Sequence, residues 1–362
     1  MTSVLIMAGG TGGHVYPALA VAARLRDASS KVTWLGTRAG MESRVVPEAD
    51  IEIDWLKVSG LRGRGVMSWL IAPFQLLSAI VQAIRTIRRR RPAVVLGMGG
   101  YVAGPGGIAA WLLRLPLIIH EQNAVAGLTN RLLAPFAHTV LEAFPGSFDD
   151  KHGAMHVGNP VRRAIVELPQ PRHRFAARTG RPNLLVLGGS QGALPLNEIV
   201  PRAIALMDVS DRPQMWHQCG ARTHNVAEKA YAEYGIEVRL SDFIEDMPAA
   251  YAWADLVVCR AGALTVAEIA AAGVAALFVP YPLSIDDHQT LNARYLESSG
   301  AGLIIPQAEL TPELLANALT QLLSQRDRLL EMAESARRMA LPDATDQVME
   351  ACLQAVAEVA CD

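Results

Sequence analysis

One pattern constrains this chain more than any other: a short, wholly apolar run, then a glycine-rich turn, then a helix pattern. In the first half, Val4–Met7 leads into Ala8-Gly9-Gly10-Thr11-Gly12-Gly13-His14 and a helix pattern over Pro17–Ala28. Val32–Leu35 is a second strand. Val94–Leu96 leads into Gly97-Met98-Gly99-Gly100-Tyr101 and an apolar helix through Leu113, and the runs Leu117–His120 and Val140–Ala143 follow. After Asn159-Pro160 and a polar stretch from Val166 to Pro182, the pattern restarts. Leu184–Leu187 precedes Gly188-Gly189-Ser190-Gln191-Gly192-Ala193, Leu256–Cys259 precedes Arg260–Thr265, and Ala276–Val279 precedes Pro280. Apolar runs this short and continuous belong to strands buried on both faces, in a parallel sheet with crossover helices.

The expectation is an α/β chain of two doubly wound parallel-sheet domains facing a cleft, with boundaries at 1–160 and 161–341. Thr311–Met339 and Ala344–Val359 read as closing helices, and Pro342 as a crossing point that returns residues 342–362 to the first domain. A length of 362 residues suits two domains of roughly 150–200 each. With 51% hydrophobic and 19% charged residues, the chain is neither disordered nor a disulfide-stapled miniprotein. The four cysteines (Cys219, Cys259, Cys352, Cys361) form no C-x-x-C and read as thiols in a reducing compartment.

A net charge of −2 argues against nucleic acid as a partner. It hides a split, +6 over residues 1–160 and −8 over the rest. A basic half suggests an anionic partner. If residues 342–362, which hold five acids and no base, pack on the first half, its charge falls to about +1 and the basic character becomes local. That local patch is Arg85 and Arg88 to Arg91.

No signal peptide is expected at the start of this sequence, since Met1-Thr2-Ser3 has no basic region and reads straight into a strand. Gly65–Ile84 is 20 residues without a charge, long enough to span a membrane. Yet Gln75, Ser78, Gln82, Arg85 and Arg89 recur on one helical face, and Leu76, Leu77, Ile80, Val81, Ile84 and Ile87 fill the other. That is an amphipathic helix packed on a sheet. Two readings stay open: a core helix whose cationic end complements its dipole, or a core helix that also presents Trp69, Leu70 and Phe74 beside the arginines to an anionic leaflet.

Each glycine turn lets backbone N–H groups approach an anion at a helix N-terminus. Any one of them also serves as a plain strand-to-helix turn, but two in each half point to phosphate sites on both walls of a cleft. A dinucleotide site is disfavoured: Gly10-Thr11-Gly12-Gly13-His14-Val15 ends in Val, and Val32–Leu35 runs into Gly36-Thr37 without an acidic residue. Asp50, Glu52 and Asp54 alternate along one strand face and read as a solvated edge, not a metal cluster. No metal site is assigned, and a diphosphate leaving group would rely on helix dipoles and side-chain donors.

Six segments taken together carry a resemblance: Gly9–Pro17, Gly97–Tyr101, His120-Glu121-Gln122-Asn123, Gly158-Asn159-Pro160-Val161-Arg162, Gly188–Ala193 and Arg260–Glu268. In this order they resemble the bacterial MurG family of lipid II-forming GlcNAc transferases, over about residues 4–350. The resemblance implies a GT-B fold of two Rossmann-like domains. It implies inverting transfer of GlcNAc from UDP-GlcNAc to O4 of MurNAc-pentapeptide on undecaprenyl diphosphate (lipid I), giving lipid II and UDP. It also implies no cofactor or metal, a place at the cytoplasmic face of the inner membrane, and partners among other cell-wall synthesis proteins.

The resemblance also assigns roles. UDP-GlcNAc would meet Thr11, Gly12, Gly13, Asn123, Arg162, Ser190, the Ile244 backbone, Ala263, Leu264, Thr265, Val266, Ala267, Glu268 and Gln289. Within that set Glu268 would take the ribose hydroxyls, and Asn123 and Gln289 the GlcNAc hydroxyls. Thr290 stands where the family often has a second Gln. Gly10, Gly12, Gly13, His14, Gly99, Gly100 and Tyr101 would hold the acceptor diphosphate and sugar. His14 is the candidate base, since an imidazole near pKa 6.5 can take the attacking hydroxyl's proton; capping the helix or binding phosphate is its other reading. His120 would support Asn123. The lipid-anchored acceptor favours the membrane patch, with Trp69, Leu70, Phe74, Leu77 and Trp111 inserting and Arg85, Arg88 and Arg89 beside them. Two alternatives stay open, a UDP-GlcNAc 2-epimerase and a non-catalytic sugar-nucleotide or lipid-diphosphate scaffold.

Overall fold

The computed structural model of the chain describes residues 2–58, 66–189 and 192–361, with backbone alone at 66–71, 285, 360 and 361. The chain divides into two compact units, residues 1–162 with 341–362, and residues 163–340.

In the first unit the apolar runs become β1 (Ser3–Met7), β2 (Lys31–Gly36), β3 (Glu52–Trp55), β4 (Val94–Gly97), β5 (Leu117–Glu121), β6 (Thr139–Glu142) and β7 (Met155–His156). Among the described residues they form one sheet in the order β3-β2-β1-β4-β5-β6-β7, every pair parallel. Alternation along β1 sorts the core. Val4 and Ile6 face one layer with α1 (Gly12–Asp27), while Leu5 and Met7 face the other with α3 (Val66–Arg90) and α4 (Ala103–Leu112). Each of these fully buried side chains contributes roughly 1.5–3 kcal/mol of transfer free energy.

The helix Ala344–Cys361 packs on the α1 side of this sheet through Val348, Met349, Cys352 and Ala355. Its acids meet bases of the same unit, Asp346 with Arg24 and Glu358 with His138 at 2.8 Å. Two further helices, α2 (Glu42–Glu48) and α5 (Leu128–Leu133), follow β2 and β5.

The second unit repeats the plan with β8 (Asn183–Leu187), β9 (Gln214–Gln218), β10 (Arg239–Ser241), β11 (Leu256–Cys259), β12 (Ala275–Phe278) and β13 (Gly302–Ile304). Their order is β10-β9-β8-β11-β12-β13, again parallel throughout. Relabelled within each unit, the order is 3-2-1-4-5-6, that of a doubly wound Rossmann sheet. The first unit adds β7 at one edge. These are two Rossmann-like domains, as the resemblance implies.

Three details differ from the sequence reading. First, α1 begins at Gly12, ahead of the amphipathic pattern, because its first turn is glycine and carries no apolar stripe. Second, Thr311–Met339 is two helices, Pro312–Leu323 and Arg326–Arg338, broken at Ser324-Gln325. Third, α3 packs through Ala79, Ala83, Thr86 and Ile87, whose small members let it approach α4, and it leaves Leu76 and Val81 exposed beside Leu77, the one of the three also expected in an outward patch. No helix among the described residues is long and apolar enough to cross a membrane.

Candidate functional site

The four glycine turns follow β1 and β4 in the first unit and β8 and β11 in the second. In each sheet these are the adjacent central strands from which the order runs outward in both directions. Ligands of open α/β sheets gather at that switch point, outside the strand C-termini.

In the first unit the two turns touch. A Cβ on Gly100 would lie 2.3 Å from the Gly9 carbonyl oxygen, and Gly100 has φ +84°. Glu42 is fully buried behind the turn after β1. Its carboxylate accepts from the Gly10 N–H at 2.9 Å, the Thr37 N–H at 2.8 Å and the Thr37 hydroxyl at 2.7 Å. The Gly10 N–H is therefore engaged, which leaves that of Thr11 and, at the helix start, those of Gly12 and Gly13. Those two open α1 with no side-chain cap and have no hydrogen-bond partner among the described residues.

His14 stands in the first turn of α1, its ring against Gly99, where a Cβ would lie 2.7 Å from Nδ1. His14 Nδ1 lies 2.7 Å from Gln122 Oε1. The Gln122 amide nitrogen lies 3.0 Å from His120 Nδ1 and donates to the His120 carbonyl at 3.0 Å. His120 Nε2 lies 2.9 Å from the Gly158 carbonyl oxygen. Burial pushes the His120 imidazole down to about 4, so it is neutral near pH 7.

The sequence reading gave His120 the task of supporting Asn123; the structure gives that task to Glu121. One carboxylate oxygen of Glu121 accepts from the Asn123 backbone and side-chain amides at 3.0 and 3.1 Å. The other accepts from Gly127 N at 3.0 Å and Asn130 Nδ2 at 2.9 Å. A carboxylate offers only acceptors, which suits a loop rich in N–H groups. Tyr101 is exposed beside the turn after β4. Arg162 falls in the first unit, not the second, with its guanidinium 5.6 Å from the Tyr16 ring centroid.

In the second unit Gly262 precedes the helix Ala263–Ala272, and no side chain caps it. The N–H groups of Leu264 and Thr265 have no partner among the described residues, so the helix start presents donors to an anion. Val266 is packed inside and Ala267 is half-buried. Glu268, one turn in, is 5% exposed and accepts from the Tyr251 hydroxyl at 3.1 Å.

After β8, the Gln218 amide ties the glycine turn. It donates to the Gly189 carbonyl at 3.0 Å and accepts from the Ile244 N–H at 3.0 Å. Of the Ile244 backbone, then, only the carbonyl is left to a ligand. Gln289 accepts from Tyr281 N at 2.9 Å, leaving its amide N–H groups outward. Arg260 fastens the same loop through the carbonyls of Val279 and Pro280 at 3.0 and 3.2 Å. Ser190 lies outside the described residues.

One grouping among the described residues has metal-ligand atoms within 4.8 Å of one another: Cys219, His224 and Asp242. Sulfur and carboxylate both meet the same nitrogen, His224 Nδ1, at 3.6 and 2.6 Å. The shorter contact is a hydrogen bond, and burial pushes the Cys219 thiol up, away from the thiolate a metal needs.

Of the expected membrane patch, Trp69 and Leu70 lie outside the residues whose side chains are described. Phe74 and Leu77 are exposed at 74% and 60%. The first unit adds apolar side chains that the sequence reading did not name: Leu112, Leu128, Leu132 and Phe136, with Phe136 5.0 Å from the exposed Trp111. Arg85 and Arg88 are exposed without an ion-pair partner among the described residues. Arg89 is not an unpaired cation: it pairs with Asp54 at 2.5 Å, beside Arg90 at 2.6 Å. The acids of β3 are thus partners of the α3 arginines.

Residues 4–142 match the Glycosyltransferase family 28 N-terminal domain and residues 183–348 the Glycosyltransferase family 28 C-terminal domain. A relative from Nitrosococcus oceani, a UDP-N-acetylglucosamine–N-acetylmuramyl-(pentapeptide) pyrophosphoryl-undecaprenol N-acetylglucosamine transferase, is 57% identical over 97% of this chain and 98% of its own length. A relative of the same name from Alkalilimnicola ehrlichii is also 57% identical, with the same coverage. Among solved structures, Acinetobacter baumannii MurG is similar with a TM-score of 0.84 at 42% identity, over 98% of this chain and 100% of that one. The UDP-GlcNAc 2-epimerase of Neisseria meningitidis shares the fold alone, with a TM-score of 0.68 at 12% identity over 98% of this chain and all of its own. The chain belongs to glycosyltransferase family 28 and, within it, to the MurG family of N-acetylglucosamine transferases.

Proposed function

We propose that this protein transfers GlcNAc from UDP-GlcNAc to O4 of the MurNAc-pentapeptide of undecaprenyl-diphosphate-linked lipid I, with inversion, giving lipid II and UDP for peptidoglycan synthesis. The observation that carries this reading is the end-to-end likeness to transferases of that name. It is supported by the open helix N-termini at both switch points, which suit a reaction with a diphosphate in each substrate.

In this reading the first unit holds lipid I and the second holds UDP-GlcNAc. The N–H groups of Gly12 and Gly13, with Gly99, Gly100 and Tyr101, hold the acceptor's diphosphate and sugar. His14 takes the proton of the O4 hydroxyl as that oxygen attacks C1 and the bond from C1 to the UDP oxygen breaks. Leu264, Thr265 and the Ser190 turn stabilise the charge growing on UDP, so the leaving group departs without a general acid or a metal. Glu268 accepts from the ribose hydroxyls, the Ile244 carbonyl faces the base, and Asn123 and Gln289 read the GlcNAc hydroxyls.

The protein works at the cytoplasmic face of the inner membrane. Phe74, Leu77 and Trp111 rest in the leaflet, with Arg85 and Arg88 against its anionic headgroups.

The test is to incubate the protein with UDP-GlcNAc and a short-chain lipid I analogue in excess EDTA, and to follow disaccharide product and UDP. Stoichiometric product is expected. Free ManNAc with UDP would mean an epimerase, binding without turnover would mean a scaffold, and either would overturn the reading.

A further inference from the structure

We infer that Gln122 is a positioning residue that fixes His14 in the tautomer carrying its proton on Nδ1, so that Nε2 is the nitrogen that accepts the substrate proton. The inference rests on the proposed role of His14 as base and adds which nitrogen acts and what holds it there.

The assignment follows from two carbonyl anchors. A carbonyl oxygen only accepts, so His120 Nε2, 2.9 Å from the Gly158 oxygen, carries a hydrogen. The His120 ring is buried and neutral near pH 7, so its Nδ1 has a lone pair and accepts. The Gln122 amide end that faces this Nδ1 at 3.0 Å also faces the His120 carbonyl at 3.0 Å. Two acceptors there require the NH2 end of the amide, which turns Oε1 toward His14. Nδ1 of His14, 2.7 Å from that oxygen, must then be the donor.

No other arrangement satisfies every partner. Flipping the amide would set its oxygen against the His120 carbonyl oxygen and its NH2 against His14. Flipping the His14 ring would place Cδ2 against Oε1 and lose the 2.7 Å bond. Gly99, with φ +96°, leaves the room in which the ring lies, since a Cβ there would sit 2.8 Å from Cε1. His14 Nε2 has no hydrogen-bond partner among the described residues.

The chemical consequence is twofold. A free imidazole divides between two tautomers, and only the one with its lone pair toward the substrate is productive; the relay removes the other. Once Nε2 has taken the O4 proton, the imidazolium keeps its Nδ1–H bond to Oε1, so its position does not change during the transfer. The aspartate of a Ser-His-Asp triad plays the same part, and holding the wrong tautomer there costs about 10⁴ in kcat. A neutral amide gives less charge stabilisation, so a smaller effect is expected here.

The test uses the full chain labelled with ¹⁵N-histidine. Long-range ¹H–¹⁵N spectra at pH 7.5, with the His14 signals identified by their loss in His14→Gln, should show a protonated Nδ1 and an unprotonated Nε2. Gln122→Met should scramble that signature and lower kcat about ten- to hundred-fold, with the KM for UDP-GlcNAc within about two-fold of the parent. Gln122→Glu keeps an acceptor facing His14 but sets its second oxygen against the His120 carbonyl; it should restore the Nδ1–H signature and recover kcat only in part, to at least about three-fold above Gln122→Met. A proton on Nε2 in the parent protein, or an unchanged kcat in Gln122→Met, would overturn the inference while leaving the transfer reaction in place. Failure of the parent to transfer GlcNAc at all would remove the function reading, and the positioning role with it.

Discussion

Behind the turn after β1 in the first unit stands a carboxylate, Glu42; behind the turn after β8, its counterpart in the second unit, stands an amide, Gln218. Glu42 can only accept, and it takes up the Gly10 and Thr37 N–H groups. Gln218 both donates and accepts, and what it takes from its glycine turn is a carbonyl, that of Gly189. The first unit repeats its choice after β5, where Glu121 collects the N–H groups of Asn123 and Gly127, and after β6, where Glu142 collects those of Gly146 and Phe148. The two halves thus share a strand order and differ in the charge of the side chain behind these turns, an anion after β1, β5 and β6 and a neutral amide after β8. That difference suits the proposed substrates. The acceptor's diphosphate keeps its charge through the reaction, whereas the charge on UDP grows as it leaves. The turn that meets UDP does best with no fixed anion behind it.

If the halves divide the chemistry in this way, the sharpest break between them is kinetic. His14→Gln should lower kcat by about 10²–10⁴-fold with little change in the KM for UDP-GlcNAc. Glu268→Gln should act on donor binding, raising that KM about ten- to hundred-fold, as loss of a charged hydrogen-bond acceptor does. Steady-state assays with both substrates varied separate the two. A His14 variant with near-normal turnover would remove the base assignment.

The next effect is on stability. Glu42→Ala leaves the buried Thr37 N–H and hydroxyl and the Gly10 N–H without their acceptor and should cost about 3 kcal/mol; Gln218→Ala orphans one carbonyl and one N–H and should cost about 1–2 kcal/mol. Urea unfolding of the two variants measures both. Equal losses would mean that the carboxylate and the amide are interchangeable supports.

Much of this scaffold was legible in the sequence for a physical reason. A parallel sheet buries both faces of its strands, so β1, β4, β8 and β11 are apolar runs that end at glycines. β9 escaped, because Gln-Met-Trp-His-Gln hides buried polar side chains inside a strand. The hubs Glu42, Gln122 and Gln218 escaped for a related reason: sequence shows a polar residue but not that the chain closes over it. Glu121 and Gln122 sit inside a quoted motif, yet only the fold shows that one holds Asn123 and the other His14. On α3 the helical pattern puts Leu76 and Val81 in the core, whereas the alanines one turn away are what pack and both residues are exposed. Arg89 looked like a membrane cation until β3 placed Asp54 beside it.

Acid compares the halves differently, because each buries one neutral histidine. His120 is pushed down to about 4 and His217 to about 3, both by burial. The unfolded chain takes up these protons below about pH 6.5 and the folded chain does not, so this contribution to stability is complete above that pH and is lost as the pH falls toward the folded values. From pH 7 to pH 5 each histidine should destabilise the protein by about 2 kcal/mol. His217→Gln keeps a partner for the Tyr231 hydroxyl, which lies 2.9 Å from the imidazole. It should make the protein less acid-sensitive by that amount without altering kcat. The same change at His120 should relieve acid sensitivity and also lower kcat, because it breaks the path to His14. Unfolding curves at pH 7 and pH 5, paired with assays, decide whether the two buried histidines differ in function.

The smallest effect separates cations within the first unit. Arg88 is exposed on α3 with no ion-pair partner among the described residues, whereas Arg89 is held against the β3 edge by Asp54. A basic side chain at an anionic leaflet contributes about 1 kcal/mol, so Arg88→Ala should weaken binding to vesicles containing anionic lipid about five-fold. Arg89→Ala should weaken it less than about two-fold, since that guanidinium is kept from the headgroups by its own partner. Near 1 M salt the Debye length falls to about 3 Å and the two variants should converge on the parent, leaving the apolar contribution of Phe74, Leu77 and Trp111. Equal losses for both arginines at low salt would show that net charge alone governs docking, and that the Arg89–Asp54 pair does nothing to direct it.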